Sequence, residues 1–229
     1  MARRNAFQAK EIRGESVNMI VLYYFYPACS LVAHIAFEES GLVYEARPVD
    51  LKDPAQFAEY KKINPRGTIP AMTVDGQPLT ENIAILTYIA DLVPEAGIIP
   101  TGLMERAQCM SLLSWSVSTA HINFRRSFRP ERFSADPAAF DGIIASARPL
   151  YWANLQWIDE RLQKQEWMLG KTYSAAADGY ALRLYDWGRI AKYPVEELKA
   201  FSAFKDRIIA RPSVRRVLER ERSPLVMPA

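Results

Sequence analysis

Cysteine is scarce in this sequence: two residues, Cys29 and Cys109, in a chain of 229. They build no disulfide framework and no Cys-x-x-Cys pair, which excludes a two-cysteine redox cycle within the chain and fits a reducing compartment, the cytoplasm. Long apolar runs are missing as well. None approaches the ~18 residues of a membrane span, although 49% of the residues are apolar, so a soluble globular protein without a membrane partner is expected. An excess of one charge is absent too. The net charge is +3, with lysine and arginine spread among acidic residues, which argues against a nucleic-acid partner. One local exception is the group Arg125, Arg126, Arg129 and Arg132. Residues 1–18 lack the apolar stretch of a secretory leader and read as a flexible extension. No internal repeat, low-complexity tract or metal-ligand set stands out.

What is present divides the chain in two. From Met19 an apolar strand leads into a helix whose C-terminal cap is Gly41. A strand follows at 43–49, and Asp53-Pro54 supplies an N-cap with proline at the first helical position, opening a short helix. Asn64-Pro65-Arg66-Gly67 is a turn, and Asp75-Gly76 sits between two short strands as the dipeptide of a tight hairpin. Residues 81–92 carry helical spacing at Ile85, Ile89 and Leu92. The order is βαβ followed by ββα, an α/β unit over 19–92. Pro94, Gly97 and Pro100 mark 93–102 as a linker. Beyond it strand signals nearly vanish, and 103–229 reads as an all-helical domain with helices near 103–129, 137–165, 176–191, 195–210 and 212–220. Pro149 is expected to kink the second.

Chemistry gathers at Tyr24-Phe25-Tyr26-Pro27-Ala28-Cys29-Ser30. A cysteine is more often a small buried hydrophobe than a reactive group. At a strand-to-helix turn, however, unpaired N–H groups and the positive end of the helix dipole favour the thiolate, and this makes Cys29 the first candidate. Cys109, among apolar residues, reads as inert core.

From Met19 to the C-terminus the residues resemble the cytosolic glutathione transferases, and the Tyr24…Ala28-Cys29-Ser30 spacing resembles their bacterial beta class. Three further stretches carry the resemblance. Thr68-Ile69-Pro70 resembles the loop where thioredoxin-like folds hold a cis proline, which implies that Ile69 presents its backbone to the cysteinyl part of glutathione. Glu81-Asn82 matches the turn that receives the γ-glutamyl end, with Asn82 where serine is common. Ser118-Thr119-Ala120-His121 matches a helix whose histidine faces the thiol; the lysine that often follows is Ile122 here.

The resemblance implies an N-terminal thioredoxin-like domain, an all-helical C-terminal domain, and glutathione as cosubstrate. Cys29, Ser30, Tyr24 and His121 are the catalytic candidates; Thr68, Ile69, Pro70, Glu81, Asn82 and Ser118 are the binding candidates. Cys29 opens thiol–disulfide or peroxidase-like chemistry, whereas a hydrogen bond from Ser30 or Tyr24 to the glutathione thiolate opens conjugation. The second substrate is expected to be a small hydrophobic electrophile. The arginine group reads first as a solvated helix face and second as a cleft lining suited to an aromatic anion. The resemblance also implies a homodimer. A non-catalytic interaction or ligand-carrier protein and a glutathione-dependent lyase or dehalogenase are the alternatives.

Overall fold

The protein is described here by a computed structural model covering residues 10–12, 15–17 and 19–227. Two short strands, β1 (Lys10–Ile12) and β2 (Glu15–Val17), form an antiparallel pair within the stretch expected to be a flexible extension; the rest of that stretch lies outside the described residues.

The main sheet has the order β4-β3-β5-β6, with β3 (Ile20–Tyr24) at its centre, β4 (Glu45–Pro48), β5 (Ala71–Val74) and β6 (Gln77–Thr80). β3 runs parallel to β4 and antiparallel to β5, and β5 turns back on β6 through Asp75 and Gly76, both at positive φ as the tight turn demands. All five residues of β3 are buried because both faces of the sheet are covered. Alternation divides them: Ile20 and Leu22 enter the main core, while Val21 and Tyr23 join a smaller core with Val49, Tyr60 and Ala71. That smaller core is closed by α2 (Pro54–Ile63), whose first turn is capped by Asp53 accepting from the N–H groups of Ala55 and Gln56.

On the opposite face lie α1 (Ser30–Ser40) and α3 (Asn82–Leu92). α1 ends at Gly41, whose φ of 67° supplies the left-handed cap. Eight of its residues, from Ser30 to Phe37, are buried, because the helical part of the chain packs over the side turned from the sheet.

That part comprises α4 (Leu103–Trp115), α5 (His121–Phe128), α6 (Phe140–Leu162), α7 (Ala175–Ile190), α8 (Lys199–Ile209) and α9 (Pro212–Arg220). α6 runs through Pro149 as one helix, so the proline does not divide it. α4 and α5 are joined by a π-helical segment, Ser116–Ala120, which delivers the chain into His121. α7 is the central helix of this half and lies directly on α1. Gly179 allows the approach: a Cβ there would touch Val32 Cγ1 at 3.4 Å. The α7 start shows how a capping box survives a shift. Ser174 is the N-cap and accepts from Ala177 N–H, while Asp178, one position later than a standard box places it, accepts from Ser174 N–H at 2.7 Å and Met168 N–H at 2.8 Å.

The far end of α1 is tied to α9 and the residues after it. Arg211 and Ser213 both donate to Glu39, and the buried His34 and Glu221 meet at 2.7 Å. The helix carrying Cys29 is thereby fixed by side chains more than a hundred and fifty positions later in the sequence.

Candidate active site

Cys29 occupies the N-cap of α1, and its Sγ lies 3.6 Å from the carbonyl oxygen of Ile69, to which it donates. The Ile69–Pro70 bond is cis, and so is Tyr26–Pro27 on the other side of the cysteine. Both prolines therefore bracket the thiol. Behind it, the Asn82 amide donates from Nδ2 to the Cys29 carbonyl at 2.9 Å, joining the first turns of α1 and α3. Asn82 Oδ1 is buried and has no hydrogen-bond partner among the described residues.

Glu81 precedes Asn82 with φ 72° and ψ 123°, a backbone conformation that a side chain disfavours and that marks a position held for its geometry. Its carboxylate is exposed and lies 3.3 Å from Arg66 Nη1. Arg66 belongs to the turn before Ile69, where Gly67 has φ 64° and leaves no room for a Cβ: one would sit 2.8 Å from Phe57 Cζ. Thr68 is locked by its own carbonyl, which accepts from Tyr60 Oη at 2.5 Å and Asn64 Nδ2 at 2.7 Å.

The cleft over Cys29 has a volume of about 340 Å³ and brings together Cys29, Thr68, Ile69 and His121. A larger hollow of about 490 Å³ lies beside β4 and α2, lined among others by Tyr23, Arg47 and Tyr60, but holds neither cysteine nor histidine. Chemistry, not size, therefore locates the site.

His121 Nδ1 is 3.3 Å from Tyr180 Oη, and its ring is 4.4 Å from that of Trp187. Burial, with a smaller contribution from Arg125, pulls its pKa down to about 3, so the ring is neutral at physiological pH. Trp187 in turn donates from Nε1 to the Pro27 carbonyl at 2.7 Å, so α7 holds the cysteine loop directly. Sequence reasoning missed Tyr180 altogether. A buried tyrosine in an apolar helix carries no local mark of the histidine it will meet.

Six candidates do not line the cleft: Pro70, Glu81 and Asn82 only adjoin residues that do, namely Ile69, Arg66 and Cys29, while Ser30, Tyr24 and Ser118 turn elsewhere. Ser30 is fully buried, and its hydroxyl donates to the Phe25 carbonyl and accepts from the Phe25 N–H, both at 3.2 Å; it staples the loop. Tyr24 points to the other end of the unit, its ring 4.8 Å from His34. Ser118 is exposed and donates to the Ser114 carbonyl of its own helix at 2.7 Å.

Two expectations are corrected. The helix N-terminus was expected to favour a Cys29 thiolate. Instead burial pushes the thiol up to about 11, outweighing Arg125 and Arg183, which pull the other way. The free protein therefore holds a neutral S–H. The arginines were read first as a solvated face, yet Arg125, Arg129 and Arg132 line the cleft, and Arg126 alone turns away to Ser146 at 3.0 Å. Cys109 is buried 3.8 Å from Ser174 Oγ, with its thiol also raised to about 11 by burial, which keeps it inert.

A sheet of this order with a cis proline facing a helix-start cysteine, roofed by a helical half, defines a thioredoxin-like thiol site with a helical domain attached. Residues 28–92 match the family described as "Glutathione S-transferase, N-terminal domain". Glutathione S-transferase GstA of Escherichia coli O157:H7 is 31% identical over 87% of this chain and 98% of its own. A glutathione transferase homolog from Sulfitobacter, solved with bound glutathione, superposes with a TM-score of 0.81 at 28% identity, covering 88% of this chain and 98% of that one. A bacterial beta class enzyme from Sphingomonas chungbukensis gives 0.75 at 32% identity, over 88% and 98%. The chain belongs to the glutathione S-transferase family. No helix among the described residues is long and apolar enough to cross a membrane.

Proposed function

We propose that this transferase binds glutathione extended along the Ile69 backbone, with its γ-glutamyl end at Glu81 and the start of α3, and delivers its thiolate to a small hydrophobic electrophile. Residues 19–92 would hold glutathione, 93–102 link, and 103–229 supply the electrophile wall. The observation carrying this reading is the convergence on one cleft of Cys29 Sγ, the Ile69 carbonyl beside cis Pro70, and His121.

The raised pKa of Cys29 selects among mechanisms. A thiol that stays protonated is a hydrogen-bond donor, so we assign Cys29 the role of donating S–H to the glutathione thiolate. The thiolate attacks the electrophile, a sulfur–carbon bond forms, and the leaving group departs with its electron pair. The neutral His121, held by Tyr180, adds a polar group to the same space without a competing charge. The two free cysteines support a cytoplasmic location. Leu103 and Met104, 91% and 66% exposed at the start of α4, support a homodimer that covers them.

The test is calorimetric titration with reduced glutathione, alongside intact mass and peptide mapping after incubation with oxidised glutathione at pH 7. Saturable binding with little adduct on Cys29 is the expected result. A stoichiometric Cys29 adduct would shift the assignment to thiol–disulfide exchange, and absence of both signals would overturn the enzyme reading in favour of an interaction protein.

A further inference from the structure

The cleft is far more positive than the chain. Its lining includes Lys61, Arg66, Arg125, Arg129 and Arg132 and no carboxylate, although the whole sequence has a net charge of only +3. Two of these cations are balanced by acids just outside: Arg66 by Glu81 and Arg129 by Glu131. Arg125 and Arg132 are in no ion pair among the described residues. Burial and the neighbouring Arg125 and Arg129 lower the pKa of Arg132 despite the opposing pull of Glu131, the direction expected for a cation crowded by like charges.

Beside these cations lies an aromatic platform. Phe124 stacks on Trp187 at 4.6 Å with an interplanar angle of 2°, and on Phe128 at 5.3 Å with 16°. The spacing explains part of the layout: Phe124 and Phe128 are i, i+4 neighbours on α5, with Arg125 on the same helix and Arg129 at its C-cap. Phe128 is 43% exposed, which leaves ring surface open toward the cleft mouth.

Glutathione carries two carboxylates, γ-glutamyl and glycyl, against the five cations of the lining, so charge remains for a second anion. The γ-glutamyl carboxylate is assigned to the α3 start, and Arg125 lies near enough to Cys29 and His121 to lower the pKa of each, which puts it beside the sulfur. Arg132 stands at the far end of the arginine series in the sequence.

We propose that the acceptor substrate of this cleft is a small aromatic carboxylate, its ring laid on the exposed ring of Phe128, which Phe124 and Trp187 back, and its carboxylate held by Arg132 with Arg129. The proposal rests on the reading that glutathione occupies the Cys29 side. A guanidinium pair beside an exposed ring recognises both parts of such a molecule at once.

The experiment compares 4-chloro-3-nitrobenzoate with its neutral analogue 4-chloro-3-nitrobenzamide as acceptors at saturating glutathione, each rate divided by its uncatalysed rate. In both, the glutathione thiolate adds to the chlorine-bearing carbon, the sulfur–carbon bond forms, and chloride leaves with the electron pair. The acid is expected to exceed the amide in corrected kcat/KM by about tenfold, a preference that Arg132→Gln collapses and that Arg126→Gln, outside the cleft, preserves. Calorimetry with the two synthetic glutathione conjugates gives the same comparison as binding and reads the proposal even where turnover is slow. Equal handling of acid and amide in both assays, or a preference indifferent to Arg132→Gln, overturns it. Failure of reduced glutathione itself to bind overturns instead the glutathione reading beneath it.

Discussion

The two walls of the cleft are built by different means. On the sheet side, groups are presented by backbone: the Ile69 carbonyl beside cis Pro70, the strained Glu81, and the loop that places Cys29 at the head of α1. On the helical side, groups are presented by side chains whose partners come from distant elements: His121 against Tyr180 and Trp187, and Trp187 against the Pro27 carbonyl. Backbone presentation tolerates changes of side chain, which suits a fixed cosubstrate; side-chain presentation changes readily with sequence, which suits a variable one.

The sharpest test of the sheet wall is the state of its thiol. With a pKa of about 11, Cys29 should be alkylated by iodoacetamide at pH 7 roughly 100-fold more slowly than an unperturbed cysteine, because so little of it is thiolate. Its rate should climb with pH toward that value, and a plateau beginning near pH 7 would show that the helix dipole outweighs burial after all. Next in size, Glu81→Ala should weaken glutathione binding by about tenfold or more, the loss of a charge-assisted contact, while Cys29→Ala should change affinity by no more than about twofold. Comparable losses in calorimetry would mean that the γ-glutamyl end lies elsewhere.

The helical wall is probed by smaller effects. Trp187→Phe removes the hydrogen bond to Pro27 and part of a buried ring, and should cost about 1–2 kcal/mol in urea unfolding. If the cysteine loop is held from α7, the variant should also lose acceptor turnover while keeping glutathione affinity. Ser174→Ala, which removes the α7 cap and its bond to the Ile98 carbonyl, should cost about 1 kcal/mol and leave both substrates bound as before. A loss of glutathione affinity in either variant would erase the distinction between the walls.

Much of the fold was legible because its signals are local. Asp53-Pro54 announces a capped helix and Asp75-Gly76 a hairpin, and both form where expected. Gly41 ends α1 for the same reason: only a few residues away, the chain needs a positive φ. Helical spacing carries α6 through Pro149 as one element. The candidate site was legible where it depends on position in a motif, as at Cys29, Ile69 and His121, and illegible where it depends on where a side chain turns. Tyr24 is adjacent to the loop but belongs to the sheet face that meets α1 and His34. Ser30 is adjacent to the cysteine but is consumed by the loop's own backbone.

The sequence by itself determined the order of elements, the turns that join them and the place of one thiol between two prolines, because each follows from residues a few positions apart. Only the tertiary structure decided the charge on that thiol, the neutrality of His121 and the turning of three arginines into the cleft. Those outcomes depend on how much water the packed helices exclude and on which distant side chains they bring near, quantities that no local pattern contains.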